Sequence, residues 1–130
     1  MSEKILIIDD EETIRDTLTE VLEEEGYLVS KAVDGHDALR QMKKVQFDLV
    51  LCDVVMPGAD GTEILKSIRE SSPFTFVVMM TAFGTIENAV EIMKEGAIDY
   101  IIKPFRFDEL LIEIKRDFRK TKPYSTNQDV

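Results

Sequence analysis

Five short apolar runs, each followed by a stretch whose apolar residues recur at helical spacing, constrain this fold more than any other feature. The runs are Lys4–Ile8, Tyr27–Val33, Leu49–Cys52, Thr75–Met80 and Tyr100–Ile102. All are brief and rich in Val, Ile, Leu or Met, the composition of parallel strands covered on both faces. Helical stripes follow in turn: Ile14, Leu18, Val21 and Leu22; Ala38, Leu39 and Met42; Ile64, Leu65 and Ile68; Ile86, Ala89, Val90 and Met93; Phe107, Leu110, Leu111, Ile114 and Phe118. Gly26 stops the first helix and Pro73 lies beyond the third. Thr85 and Gly96 read as the N-cap and the stop of the fourth. Strict alternation of strand and helix predicts a doubly wound α/β sheet with right-handed crossovers. At 130 residues the chain suits one domain. Residues 120–130, KTKPYSTNQDV, carry no period and read as a frayed tail or the start of a linker. That leaves 1–119 as the domain.

Charge narrows the function. There are 16 basic and 26 acidic residues, a net charge of −10. Such a surface repels phosphates, which argues against direct nucleic-acid binding and is compatible with a cation site. No run approaches the roughly 18–20 apolar residues of a membrane span. The N-terminus lacks the basic-then-apolar layout of a signal peptide, so a cytoplasmic location and no membrane partner are expected. The one cysteine, Cys52, lies in the apolar run DLVLCD and reads as a small buried hydrophobe. The one histidine, His36, reads as a solvated surface residue at a helix start.

In an open parallel sheet, ligands bind outside the carboxyl ends of the strands. Asp9 and Asp10 stand at the end of the first strand, Asp53 of the third, Thr81 of the fourth, and Lys103 then Pro104 of the fifth. Three carboxylates brought together raise one another's pKa and repel, and a divalent cation removes that conflict. Oxygen donors without His or Cys favour Mg²⁺ or Mn²⁺ over zinc. Glu11 and Glu12 continue the acid run but have a simpler reading, as first-turn acids favoured by the helix dipole. A metal alone has no need of Thr81 and Lys103, whereas a phosphoryl group offers three anionic oxygens that a cation, an ammonium and a hydroxyl can share. A carboxylate can be the nucleophile and form an acyl phosphate, and Asp53 on the central strand is the natural one. Taken singly, a strand-end Asp is often a turn residue and Thr81 a plain cap. Their joint placement carries the reading.

These residues resemble the receiver domain of two-component response regulators. The pieces IIDDEE, DLVLCDVVMPGADG, VVMMTAFG and DYIIKPF fit that pattern in order over about residues 4–119. The resemblance implies a flavodoxin-like fold, a five-stranded parallel sheet of order 2-1-3-4-5 with five helices. It implies that Asp53 is the phosphoacceptor, and that Asp9 and Asp10 hold Mg²⁺, Asp10 more directly, with the Val55 carbonyl as a further ligand. It makes Thr81 the switch hydroxyl, Lys103 its ion-pair partner, Tyr100 the aromatic that turns inward on activation, and Pro104 a proline preceded by a cis bond. The implied donor is a sensor histidine kinase, and the implied output is transcriptional, through the face of the fourth helix, fifth strand and fifth helix. The stretch TAFGTIENAVEIMKEGAIDYIIKPF is similar to receivers of the nitrogen-regulation type, which precede an AAA+ module. Whether this chain is a stand-alone receiver, or one cut from a protein with an AAA+ or DNA-binding output module, stays open, as does a homodimer. Val55 and Phe83 stand where the resemblance places the residues facing an incoming water. Both are apolar, which predicts slow loss of the phosphoryl group.

Two other readings compete. A phosphohydrolase of the haloacid-dehalogenase type wants a second acid two residues after its nucleophile, and here that position is Val55. A flavin-binding module wants a glycine- and hydroxyl-rich loop after the first strand, and DDEET would repel its phosphate.

Overall fold

A computed structural model describes residues 2–56, 59–82 and 86–120, with the side chains of 55, 56, 59, 60 and 86–88 outside that description. Five parallel strands form one sheet: β1 (Lys4–Ile8), β2 (Leu28–Ala32), β3 (Leu49–Asp53), β4 (Phe76–Thr81) and β5 (Asp99–Ile102). Their order is β2-β1-β3-β4-β5, as expected. Helices α1 (Glu12–Glu24), α2 (Gly35–Met42), α3 (Gly61–Ser71), α4 (Ile86–Lys94) and α5 (Phe107–Phe118) follow the strands in turn. Strand limits shift by a residue from the expected ones: β2 is shorter at both ends, β3 reaches Asp53, and β4 runs from Phe76 to Thr81.

Both faces of the sheet are covered, which is why the strands read as unbroken apolar runs. Leu6, Ile8, Val50, Cys52, Val77 and Met79 face α2, α3 and α4, through Ala38, Ile64, Leu65, Ile68 and Ile92. The alternate residues Ile5, Ile7, Leu49, Leu51, Val78 and Met80 face α1 and α5, through Leu18, Leu22, Leu110 and Ile114. Each large aliphatic side chain buried here stabilises the fold by about 1.5–3 kcal/mol. Cys52 is buried and His36 exposed, as read from the sequence.

Helix ends follow their local chemistry. Asp34 caps α2 by accepting from the Asp37 N–H at 2.8 Å. Gly26 (φ +96°) and Gly96 (φ +111°) sit just past α1 and α4 in left-handed conformations that favour glycine. There the chain folds back so that Tyr27 N–H donates to Leu22 O at 3.2 Å and Ala97 N–H to Ile92 O at 3.3 Å. The α4 stripe needs correction. Ile92 is buried, whereas Val90 and Met93 are 46% and 43% exposed. The apolar residues form one face running from Ile92 through Ala89 to Val90, and the sheet covers its Ile92 edge. Thr85, the expected N-cap, lies outside the described residues.

Candidate functional site

The carboxyl ends of β1, β3, β4 and β5 bring the expected side chains to one rim. Asp9 follows β1 and is fully buried. Its Oδ1 accepts from the Glu11 N–H at 2.9 Å, so the carboxylate is fixed by the turn that starts α1. Arg15, one turn into α1, donates to the Asp9 carbonyl at 2.7 Å. Asp10 is exposed. Asp53 ends β3 and is buried. One carboxylate oxygen from each of Asp9, Asp10 and Asp53 lies within 4.8 Å of the others.

The Lys103 ammonium binds two of these acids, at 2.9 Å from Asp9 Oδ2 and 3.2 Å from Asp53 Oδ2. Burial alone would lower the lysine pKa. The hydrogen bonds and charges of Asp9 and Asp53 outweigh it and hold the ammonium above its ordinary value. Lys103 is set by β5 itself, since its N–H donates to the Thr81 carbonyl at 2.7 Å. Thr81 is buried at the end of β4. The peptide bond between Lys103 and Pro104 is cis, as expected. A groove lined by Ile14, Ala82, Pro104, Phe105 and Phe107 opens beside Lys103.

Tyr100 stands in β5, half-buried, with its ring against the cluster that α4 covers. Val55 begins a two-residue ladder with Asp60, just beyond Asp53, and its side chain is outside the description. Phe83 lies outside the described residues.

One residue was not singled out from the sequence. Gly61 opens α3 and its N–H donates to the Val54 carbonyl at 2.8 Å. A Cβ there would lie 2.5 Å from the Asp53 carbonyl oxygen and 2.6 Å from the Val54 Cα. No side chain fits, so the bare backbone of Gly61 lets α3 start directly against the peptide that carries Asp53. Its place in DVVMPGADG marks a turn, but the close approach is invisible until the chain folds.

Chemically, the rim offers a cation a set of oxygen donors and offers an anion a fixed ammonium. The donor set suits a hard divalent ion such as Mg²⁺, because it holds neither sulfur nor imidazole.

Residues 5–115 match the response regulator receiver domain family. The transcriptional regulatory protein ZraR of Salmonella typhimurium is 43% identical over 118 residues, which is 91% of this chain and 27% of that protein. The chain therefore spans about a quarter of that relative's length. The sporulation initiation phosphotransferase F of Bacillus subtilis is 41% identical over 116 residues, 89% of this chain and 94% of that protein. The receiver domain of NtrX from Brucella abortus superposes with a TM-score of 0.84 at 35% identity, covering 90% of this chain and 99% of that one. Fold and relatives agree: the chain belongs to the response regulator receiver domain family, and its likeness to ZraR and to the NtrX receiver is consistent with the nitrogen-regulation type.

Proposed function

We propose that the chain is a phosphorylation-dependent signalling switch whose phosphoacceptor is Asp53. The observation that carries this reading is the convergence of Asp9, Asp10 and Asp53 within 4.8 Å beside a lysine bound to two of them. An Asp53 oxygen attacks phosphorus in line with the bond from phosphorus to a kinase histidine. That bond breaks, and the leaving imidazole takes a proton from solvent. Asp9, Asp10 and the Val55 carbonyl are the groups that would hold Mg²⁺. The ion, when bound, neutralises the carboxylates and screens the incoming phosphoryl oxygens. Lys103 keeps one oxygen of Asp53 oriented and then pairs with the phosphoryl group. Thr81 moves its hydroxyl to that group, and Tyr100 fills the space behind it.

The partner is a sensor histidine kinase, and the apolar groove beside Lys103 gives it a place to seat. The signal leaves through α4, β5 and α5, where Val90, Met93, Ile102 and Ile112 are exposed apolar side chains. That face is open to a second copy of the chain or to an output module. The domain is proposed at 1–119 with 120–130 as a tail or linker start, of which 121–130 lie outside the described residues. Transcriptional control is the output we favour, on the strength of the ZraR likeness, and the cytoplasm is the matching location. Among the described residues, no helix is long and apolar enough to cross a membrane.

The test is incubation with acetyl phosphate and Mg²⁺, read by intact mass. The wild type gains one base-labile phosphoryl group and Asp53→Asn gains none. Turnover of many equivalents, or full labelling of Asp53→Asn, would overturn the reading.

A further inference from the structure

The amino end of β5 holds a second grouping of acids, remote from the rim. Asp117, in the last turn of α5, is completely buried, and neither of its oxygens has a hydrogen-bond partner among the described residues. Asp99, the first residue of β5, comes within hydrogen-bonding reach of it. Asp99 uses Oδ1 to accept from the Tyr100 N–H at 2.9 Å, while its Oδ2 is buried and also without a partner. Three buried acceptor atoms thus meet here, and the one cation in contact with them, Lys120, reaches only Asp117 Oδ1. Two ionised carboxylates in that position would repel each other and leave their oxygens unsatisfied, which is among the costliest arrangements a protein interior can hold.

The neighbouring charges do not resolve it. Lys120 Nζ pairs with Asp117 Oδ1 at 3.0 Å, which leaves Asp117 Oδ2 and Asp99 Oδ2 without a partner among the described residues, and the lysine side chain is 43% exposed. Glu113, one turn earlier on α5, adds a third acid. Its own pKa is raised by burial first, then by the charge of Asp99, with Arg116 and Lys120 opposing and Glu109 adding. Acids therefore outnumber the cations that reach them. No third carboxylate closes to ligand distance here, since among the described residues only Asp9, Asp10 and Asp53 form a metal-ready group. A proton between the two carboxyls would join the oxygens that Lys120 leaves without a partner.

We infer that Asp99 and Asp117 share a single proton in the folded domain, forming a pH-sensitive clasp between the start of β5 and the last turn of α5. One carboxyl donates to the other, which satisfies Asp117 and removes one of the two charges. Loss of the proton restores the repulsion and loosens the final turn of α5, three residues before the chain leaves the described fold at Lys120. Burial pushes the Asp117 carboxyl up to about 6, with Asp99 adding to the rise and Lys120 opposing it. The clasp thus works just below neutral pH, at the last turn of α5.

The experiment is a carbon-detected NMR titration of the aspartate carboxyls in the full 130-residue chain, for the wild type and Asp99→Asn. The Asp117 signal is expected to titrate near pH 6 in the wild type and about one pH unit or more lower in Asp99→Asn, where the like charge is gone. An Asp117 midpoint in the ordinary carboxylate range near 4 would overturn the proposal, and so would a midpoint that Asp99→Asn leaves unmoved. The wild-type titration decides the first point whether or not the variant folds.

Discussion

Two groups of acids sit at opposite ends of the same sheet, and they solve like-charge crowding in opposite ways. At the carboxyl ends of the strands, Asp9 and Asp53 share a lysine ammonium, and exposed Asp10 leaves the group open to solvent. At the amino end of β5, Asp99 and Asp117 face each other with one half-exposed lysine, Lys120, 3.0 Å from Asp117 Oδ1. On the proposed function, the rim exchanges its neutralising charge, because exposed Asp10 leaves it open to a cation or a phosphoryl group from water. At the other pair Asp117 is fully buried and Asp99 partly so, and their one contacting cation, Lys120, comes in from the half-exposed surface. Burial and access, rather than residue type, decide what each carboxylate can do.

The largest expected effect follows from stripping the rim of its fixed cation. Lys103→Met leaves Asp9 and Asp53 close together without their shared partner, and should cost about 3 kcal/mol of stability in Mg²⁺-free buffer. Urea denaturation measures it. The loss should shrink when Mg²⁺ is added, because a divalent ion can replace the ammonium. An equal loss with and without Mg²⁺ would break the idea that rim charge is exchangeable.

Gly61→Ala tests the rim from behind. The new Cβ must displace the Asp53–Val54 backbone, which overpacking cases put at about 2 kcal/mol. Phosphorylation by acetyl phosphate should slow more than in variants of similar stability elsewhere. Normal labelling at reduced stability would make Gly61 a packing residue only.

A smaller effect is expected at the other pole, and its sign is opposite. The folded Asp117 pKa, about 6, lies above the ordinary value of 3.8. Between those values the folded state holds more protons than the unfolded one, so this pair makes stability fall as pH rises through that window and leaves it low above it. Asp117→Asn supplies a permanent donor to Asp99. It should stabilise the domain at pH 7 by about 1 kcal/mol, the full shift being discounted for screening around exposed Lys120. Thermal unfolding across the pH range from 4 to 7 reads it. A variant less stable than wild type at pH 7 would show that Asp117 is held as a useful anion instead.

The two regions also differ in how far the sequence exposed them. The rim was legible because strand ends are adjacent in space by topology, so Asp9, Asp53, Thr81 and Lys103 needed only the β–α alternation to meet. The buried faces followed from the same pattern, whereas the strand order came from the resemblance to receiver domains. The pair at the amino end was not legible. Asp117 stands in RDFRK, eight residues after Glu109 and four after Glu113, where an acidic stripe on a helix reads as solvated. Only the packing of α5 against β5 turns that stripe toward Asp99. In α4, Ile92 and Val90 are equally apolar, and nothing local ranks them. The difference came from which side the sheet covered. Gly61 needed backbone distances, which no residue pattern carries.

The most direct test is a Mg²⁺ titration of the wild-type chain, followed at pH 7 through the carboxyl carbon signals of all its aspartates in one series of spectra. Saturable shifts of Asp9, Asp10 and Asp53, with Asp99 and Asp117 unmoved, are the predicted result. Stationary rim signals, or shifts of Asp99 and Asp117 as large as those at the rim, would contradict it.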